Sequence, residues 1–145
     1  MYSTIYRQTF IRVADDCPVD AAQVPPAGRT SPSIAWLQYH LIAEHPYTYT
    51  SDDLLFEVHV RRAGIPPERR AVERAAFFAK PRACLRASPL AKRYGWGIHH
   101  DAEGKVALVA LGSEDYRRMV NDPSLRQLTA MRSTRARSGV TGSRP

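Results

Sequence analysis

Residues 97–111 read GIHHDAEGKVALVAL, and the Asp101-Ala102-Glu103-Gly104 step constrains the fold more than any other feature. Aspartate first and glycine fourth is the chemistry of a type I turn with a glycine bulge, because only glycine takes the left-handed conformation cheaply. Apolar and β-branched residues on both sides extend the turn into a hairpin over 96–111. Strand alternation then sends His99 and His100 to opposite faces, and puts His99 on the same face as Asp101.

The remaining segments read mostly as helices around this hairpin. TIYRQTFIRVA, residues 4–14, predicts one further strand over Thr9–Ala14. The next 19 residues, DDCPVDAAQVPPAGRTSPS, carry four prolines and form a long loop; loops of that length within a compact domain are often functional. Ser33 is a natural N-cap for a helix with Ile34, Leu37, Leu41 and Ile42 at helical spacing, ended by Pro46. Residues 51–62 carry two signals. Leu54, Phe56, Val58 and Val60 alternate as in a strand, yet Ser51, Asp52 and Asp53 form a helix start with carboxylates at the positive end of the dipole. We read a buried helix. PPERRAVERAAFFAK predicts another, with Val72, Ala75, Ala76 and Ala79 facing inward and Phe77 or Phe78 flanking them. Ser88 caps a short helical turn, and SEDYRRMVND is a capped helix stopped by Pro123. The expectation is an α+β domain over 1–131, a short antiparallel sheet containing the 96–111 hairpin packed against several helices.

Composition narrows the function classes. With 145 residues, 43% hydrophobic and 24% charged, the chain has the profile of one globular domain. No apolar run approaches the ~20 residues that span a bilayer, and MYSTIYRQTF has no secretory pattern. Cys17 and Cys84 lie far apart in no CxxC motif, which suits a reducing cytosol. The net charge is +7, and Arg132, Arg135, Arg137 and Arg144 follow Met131 with no acid among them. Residues 132–145 therefore read as a flexible basic tail outside the domain. Arginine outnumbers lysine 18 to 3, which favours bidentate anion contacts, although biased genome composition produces the same excess.

Three constellations are candidate sites. Arg82, Arg86, Lys92 and Arg93 fall within twelve residues with no acid before Asp101, so a folded-back segment would converge their donors on a phosphate or carboxylate. Tyr94 and Trp96, each beside Gly95, would add a stacking face; the alternative is that the tryptophan packs in the core. The segment RYGWGI echoes an RNA-recognition motif, but Ile98 falls where an aromatic must stack. Cys84 sits two residues from both Arg82 and Arg86, and positive neighbours favour the thiolate nucleophile. His99 or His100 would be its base, oriented by Asp101. A free cysteine is otherwise a small buried apolar group. Cys17, beside Asp16, lacks that positive environment. His40 and Glu44 in HLIAEH form a surface pair, since the metalloprotease order H-x-x-E-H has one residue fewer. No cluster has structural-zinc spacing, so neither a metal nor another cofactor is assigned.

Several strings carry a family resemblance: DDCP, HPYTYTSDDLLFEVH, FFAK, ACLRASPLAKRYGWGIHHDAEGKVAL and LTAMRSTRA. Together they resemble a family of small bacterial proteins of unknown function, number 6157 among the domain-of-unknown-function families, over about residues 1 to 136. The resemblance implies a soluble bacterial cytoplasmic protein and carries over no catalytic residue.

The residues therefore point first to a binding or regulatory domain for an anionic partner, whether a nucleotide, a phosphate-bearing metabolite or a nucleic acid. A small enzyme using Cys84 with His99 or His100 is the second expectation, and a purely structural or partner-binding protein the third.

Overall fold

A computed structural model describes residues 1–133. The expected tail lies almost wholly outside the described residues. Strand β1 (Thr9–Arg12) is followed by the long loop, then by helices α1 (Ile34–Glu44) and α2 (Ser51–Ala63). A 3-10 turn at Pro67–Arg69 leads into α3 (Arg70–Phe77), and a second at Leu85–Ala87 into the short α4 (Pro89–Arg93). The hairpin strands β2 (Trp96–His100) and β3 (Val106–Ala110), helix α5 (Glu114–Val120) and strand β4 (Arg126–Thr129) complete the order.

The α+β class holds. The sheet runs β3-β2-β1-β4, antiparallel through its first three strands. Strand β4, unforeseen in the sequence, pairs parallel to β1, so the sheet is mixed. The Asp101–Gly104 turn forms as expected: the Gly104 amide donates to the Asp101 carbonyl at 3.0 Å, and Gly104 has φ 83°. Ile11 and Ile98 point to the face covered by α1, α2 and α4, where Leu37, Leu41, Leu54 and Leu90 complete the main core. Phe10 and Val109 point to the opposite face, under Leu125 and the half-buried Tyr116 of α5. Gly97 makes that face possible, because a Cβ there would stand 2.6 Å from the Phe10 ring and 2.9 Å from Tyr116.

Helix α2 explains its own double signal. Thr50 and Asp53 form a reciprocal capping box, with Gly64 in the left-handed conformation closing the other end. Leu54 and Val58 enter the main core, while Phe56 and Val60 enter a second one with Phe78. Two i, i+4 stripes on nearly opposite faces, about 200° apart at 3.6 residues per turn, thus imitate strand alternation, because the helix is packed on two sides.

Helix α3 reverses the expected facing. Val72 is 58% exposed, and Ala75, Ala76 and Ala79 are also exposed. The inward positions are Arg70, Arg74 and Phe77. Arg70 pairs with Glu57 at 2.6 Å and Arg74 with Asp53 at 2.9 Å, their guanidiniums 5.6 and 5.5 Å from the Phe56 ring centroid. The carboxylates on α2 select the arginine face, whose aliphatic stems cover Phe56 as the charged heads reach their partners. Alanine offers too little area to compete. Of the two flanking phenylalanines, Phe78 is the buried one, at 2% exposure. Accordingly, Val72→Ser should shift stability by less than about 0.5 kcal/mol, whereas Phe78→Ala should cost about 3–5 kcal/mol. Urea denaturation of both variants measures the contrast, and an equal loss would contradict this facing.

Candidate functional site

The sequence candidates separate into distinct places. His99 and His100 do lie on opposite faces of β2. The Tyr47 hydroxyl and His99 Nδ1 are 2.7 Å apart, with the rings edge to face at 5.5 Å. Tyr47 has φ 56°, a left-handed conformation costly for a tyrosine, and nothing in the sequence around Pro46 announced it. Burial lowers the His99 pKa, against a raising effect from the nearby Asp101 and Asp122 charges. Burial also raises the Tyr47 phenol. Asp101 does not orient His99 through a hydrogen bond. Its carboxylate instead accepts the Glu103 and Lys105 amides, both at 2.9 Å, and is committed to the turn.

His100 is fully buried, with neither ring nitrogen hydrogen-bonded among the described residues. Its ring meets the edge of Tyr6 at 5.6 Å. The Tyr6 hydroxyl lies 3.2 Å from Cys84 Sγ, so Tyr6, and neither histidine, is the hydrogen-bond partner of the thiol. The hydrogen bond to Cys84 and burial push the Tyr6 phenol up, while Arg86 and Arg126 pull it down. The expected arrangement of Cys84, a histidine base and Asp101 is therefore not assembled by direct contacts. The alternation of β2 and the intervening Tyr6 ring keep its members apart.

The arginine cluster is likewise divided. Arg82 Nε donates to the Phe77 carbonyl at 2.8 Å, with its guanidinium 3.9 Å from the Phe77 ring centroid. Arg86 Nε donates to the Thr129 carbonyl, also at 2.8 Å. Each Nε satisfies a carbonyl left over at the end of an element, which ties the two guanidiniums to different elements, α3 and β4. Trp96 sends its indole N–H to the Gln23 carbonyl at 2.8 Å and packs beside Tyr39. Its stacking face is thereby spent internally. Lys92 forms no ion pair among the described residues.

Arg93 and Tyr94 have a different setting. They line a cleft of about 460 Å³ with Pro26, Gly28, Arg29, Ser33 and Pro89. The long loop builds one wall. Ser33 Oγ donates to the Pro26 carbonyl at 3.3 Å while accepting the Trp36 amide at 3.1 Å, so the loop is folded onto the start of α1. The Gln23 amide donates to the Tyr94 carbonyl at 2.9 Å and fixes the loop to the other wall. Arg29 and Arg93 have no carboxylate partner among the described residues, and no acid lines the cleft. Arg29 was absent from the sequence candidates, because it lies 53 residues before the Arg82 that opens the cluster. On its other side Arg93 borders a second depression containing Asp16 and Ser133.

Among the described residues, no group of three or more His, Cys, Asp or Glu side chains comes together to hold a metal ion. His40 and Glu44 form the surface pair expected of them, at 3.0 Å. No described helix is long and apolar enough to cross a membrane.

A family model described as a family of unknown function, DUF6157, matches residues 1–136. The chain belongs to that family. No curated protein and no solved structure matches. DUF6157 membership thus takes in every cleft and contact described above, and its description assigns none of them a role.

His100 yields a direct expectation. Burial lowers its pKa from 6.5 to about 4, so the unfolded chain takes up a proton first as pH falls. Stability present above pH 6.5 is lost progressively below it, by about 3 kcal/mol once pH is below 4. His100→Phe fills a similar volume without a titrating group. It should abolish this part of the acid sensitivity and match or exceed the parent at pH 7. Urea midpoints measured from pH 7.5 to 4 test this, and parallel pH curves for parent and variant would contradict it.

Proposed function

We propose that the chain is a small, soluble, cytoplasmic binding domain for an anionic ligand of the nucleotide or phosphate-bearing metabolite class. The single observation that carries this reading is the pair Arg29 and Arg93, two guanidiniums that have no carboxylate partner among the described residues and share one acid-free cleft. A guanidinium presents planar, bidentate donors suited to phosphate and carboxylate oxygens. Tyr94 lines the same cleft, and its ring would offer a flat apolar surface to a base. The start of α1, at Ser33 and Ala35, adds the positive end of a helix dipole. The cytoplasmic assignment draws support from the two free cysteines.

Calorimetric titration with adenosine monophosphate and with inorganic phosphate tests the reading. Both should bind, the nucleotide more tightly. Arg93→Ala should weaken nucleotide binding about 10- to 100-fold, the range for losing a charged hydrogen bond. Absence of saturable binding at millimolar concentrations would sink the proposal.

A second reading, thiol chemistry at Cys84, is favoured by one observation, the 3.2 Å contact with the Tyr6 hydroxyl. It expects iodoacetamide at pH 7 to modify Cys84 well ahead of Cys17, with Tyr6→Phe changing the rate at Cys84 alone. Equal, slow alkylation of both thiols would retire it.

A further inference from the structure

The anion cleft has a neighbour. A second cleft of about 400 Å³ is lined by Ser31, Pro32, His59, Arg61 and Arg62, with Leu37 and Ala63 completing it. The two linings meet at Pro32 and Ser33, consecutive residues whose Cα atoms are ~3.8 Å apart across a trans peptide. The two clefts therefore adjoin at the Ser31–Ser33 crest of the long loop, where Ser31 and Pro32 are exposed.

The charge along that surface has one sign. No acidic residue occurs between Asp20 and Glu44, or between Glu73 and Asp101, and these stretches supply the part of the loop that lines the clefts, the start of α1 and the α4 wall. The third contributor is the end of α2. Its nearest carboxylate in the chain, Glu57, is already engaged by Arg61 at 3.3 Å and by Arg70 at 2.6 Å. Arg62 forms no ion pair among the described residues. Arg29 and Arg93 on one side of the crest, and Arg62 on the other, thus remain uncompensated.

A compact anion can answer only one side. A ligand that carries anionic groups at repeated intervals along a thread answers both, and an aromatic residue lines each cleft, Tyr94 in the first and His59, whose ring packs 4.8 Å from that of Phe77, in the second. Concave sites with cations and rings suit unpaired bases and an exposed phosphate backbone. Direct readout of a duplex instead uses an element projecting into a groove. We infer that the two clefts form one track for single-stranded nucleic acid, which crosses the Ser31–Ser33 crest with phosphates at Arg29 and Arg93 on one side and at Arg62 on the other. The inference rests on the anion cleft proposed above and extends it to a polymeric ligand.

Fluorescence anisotropy of the full chain with a labelled ten-nucleotide oligothymidylate, beside calorimetry with thymidine monophosphate, tests it. The oligonucleotide should bind at least tenfold more tightly than the mononucleotide. Its log affinity should fall against log salt with a slope of about −2, as three neutralised phosphates on a single strand require. Arg62→Ala should weaken the oligonucleotide about three- to tenfold and flatten that slope by about 0.7, leaving the mononucleotide unaffected. Arg93→Ala should weaken both ligands. If the mononucleotide binds but the oligonucleotide gains nothing, or Arg62→Ala changes neither affinity nor slope, the track is overturned and the single cleft stands. Oligonucleotide binding that survives both substitutions assigns the contact to other basic residues, and overturns the track equally. If neither ligand binds the parent chain, the anion cleft fails and the track with it.

Discussion

The first turn of α2 is the joint on which the rest of the structure depends. Asp52, only 9% exposed, accepts the Thr4 amide at 2.7 Å, the Thr4 hydroxyl at 2.7 Å and the Ser3 hydroxyl at 2.8 Å. Thr50 caps the helix and also bridges to Lys105 beside the hairpin turn. One turn of helix therefore fixes the start of the chain, the helix layer and the sheet edge together. A buried carboxylate is tolerable only with such a set of donors, since an unpaired one costs several kcal/mol of desolvation. The Ser88 hydroxyl makes the corresponding link on the other side, donating to Gln38 of α1 at 2.6 Å while accepting the Leu90 amide of α4.

What was legible in the sequence follows from what acts locally. The Asp101–Gly104 turn, the Ser33, Ser88 and Ser113 caps and the alternation of β2 depend on neighbours a few residues away, and all appear as read. The facing of α3 depends on Asp53 and Glu57, more than a dozen residues upstream, and apolar periodicity cannot register a pair of carboxylates. Strand β4 was invisible for a related reason. RQLT is short and half-exposed, and its pairing with β1 joins residues more than a hundred positions apart.

The candidate site divides along the same line. Sequence proximity grouped Arg82, Arg86, Lys92 and Arg93, but a guanidinium on a flexible stem is claimed by whichever acceptor stands nearest. Two of the four went to backbone carbonyls at element ends. Arg93 remained open, and its companion came from the loop. The usable signal was a pattern of absence, the run of 23 residues without an acid between Asp20 and Glu44. It marks a stretch in which Arg29 has no carboxylate close by in the chain, whereas counting arginines in one window marks only where they are dense. Tyr6 and Tyr47 left no comparable trace, because each acquires its meaning from a single partner across the fold.

The RYGWG segment that precedes the hairpin then has a structural role of its own. Tyr94 and Trp96 hold the loop through Gln23, one by its carbonyl and the other by its indole N–H, and the loop so held supplies Arg29 and the crest at Ser31–Ser33. Loop and segment are therefore coupled. A loop with four prolines loses less conformational entropy on ordering than a glycine-rich one would, and two hydrogen bonds near its middle suffice to set its course. The aromatic residues that first suggested a ligand-stacking platform act largely one step earlier, by positioning one wall of the cleft that contains Arg29 and Arg93.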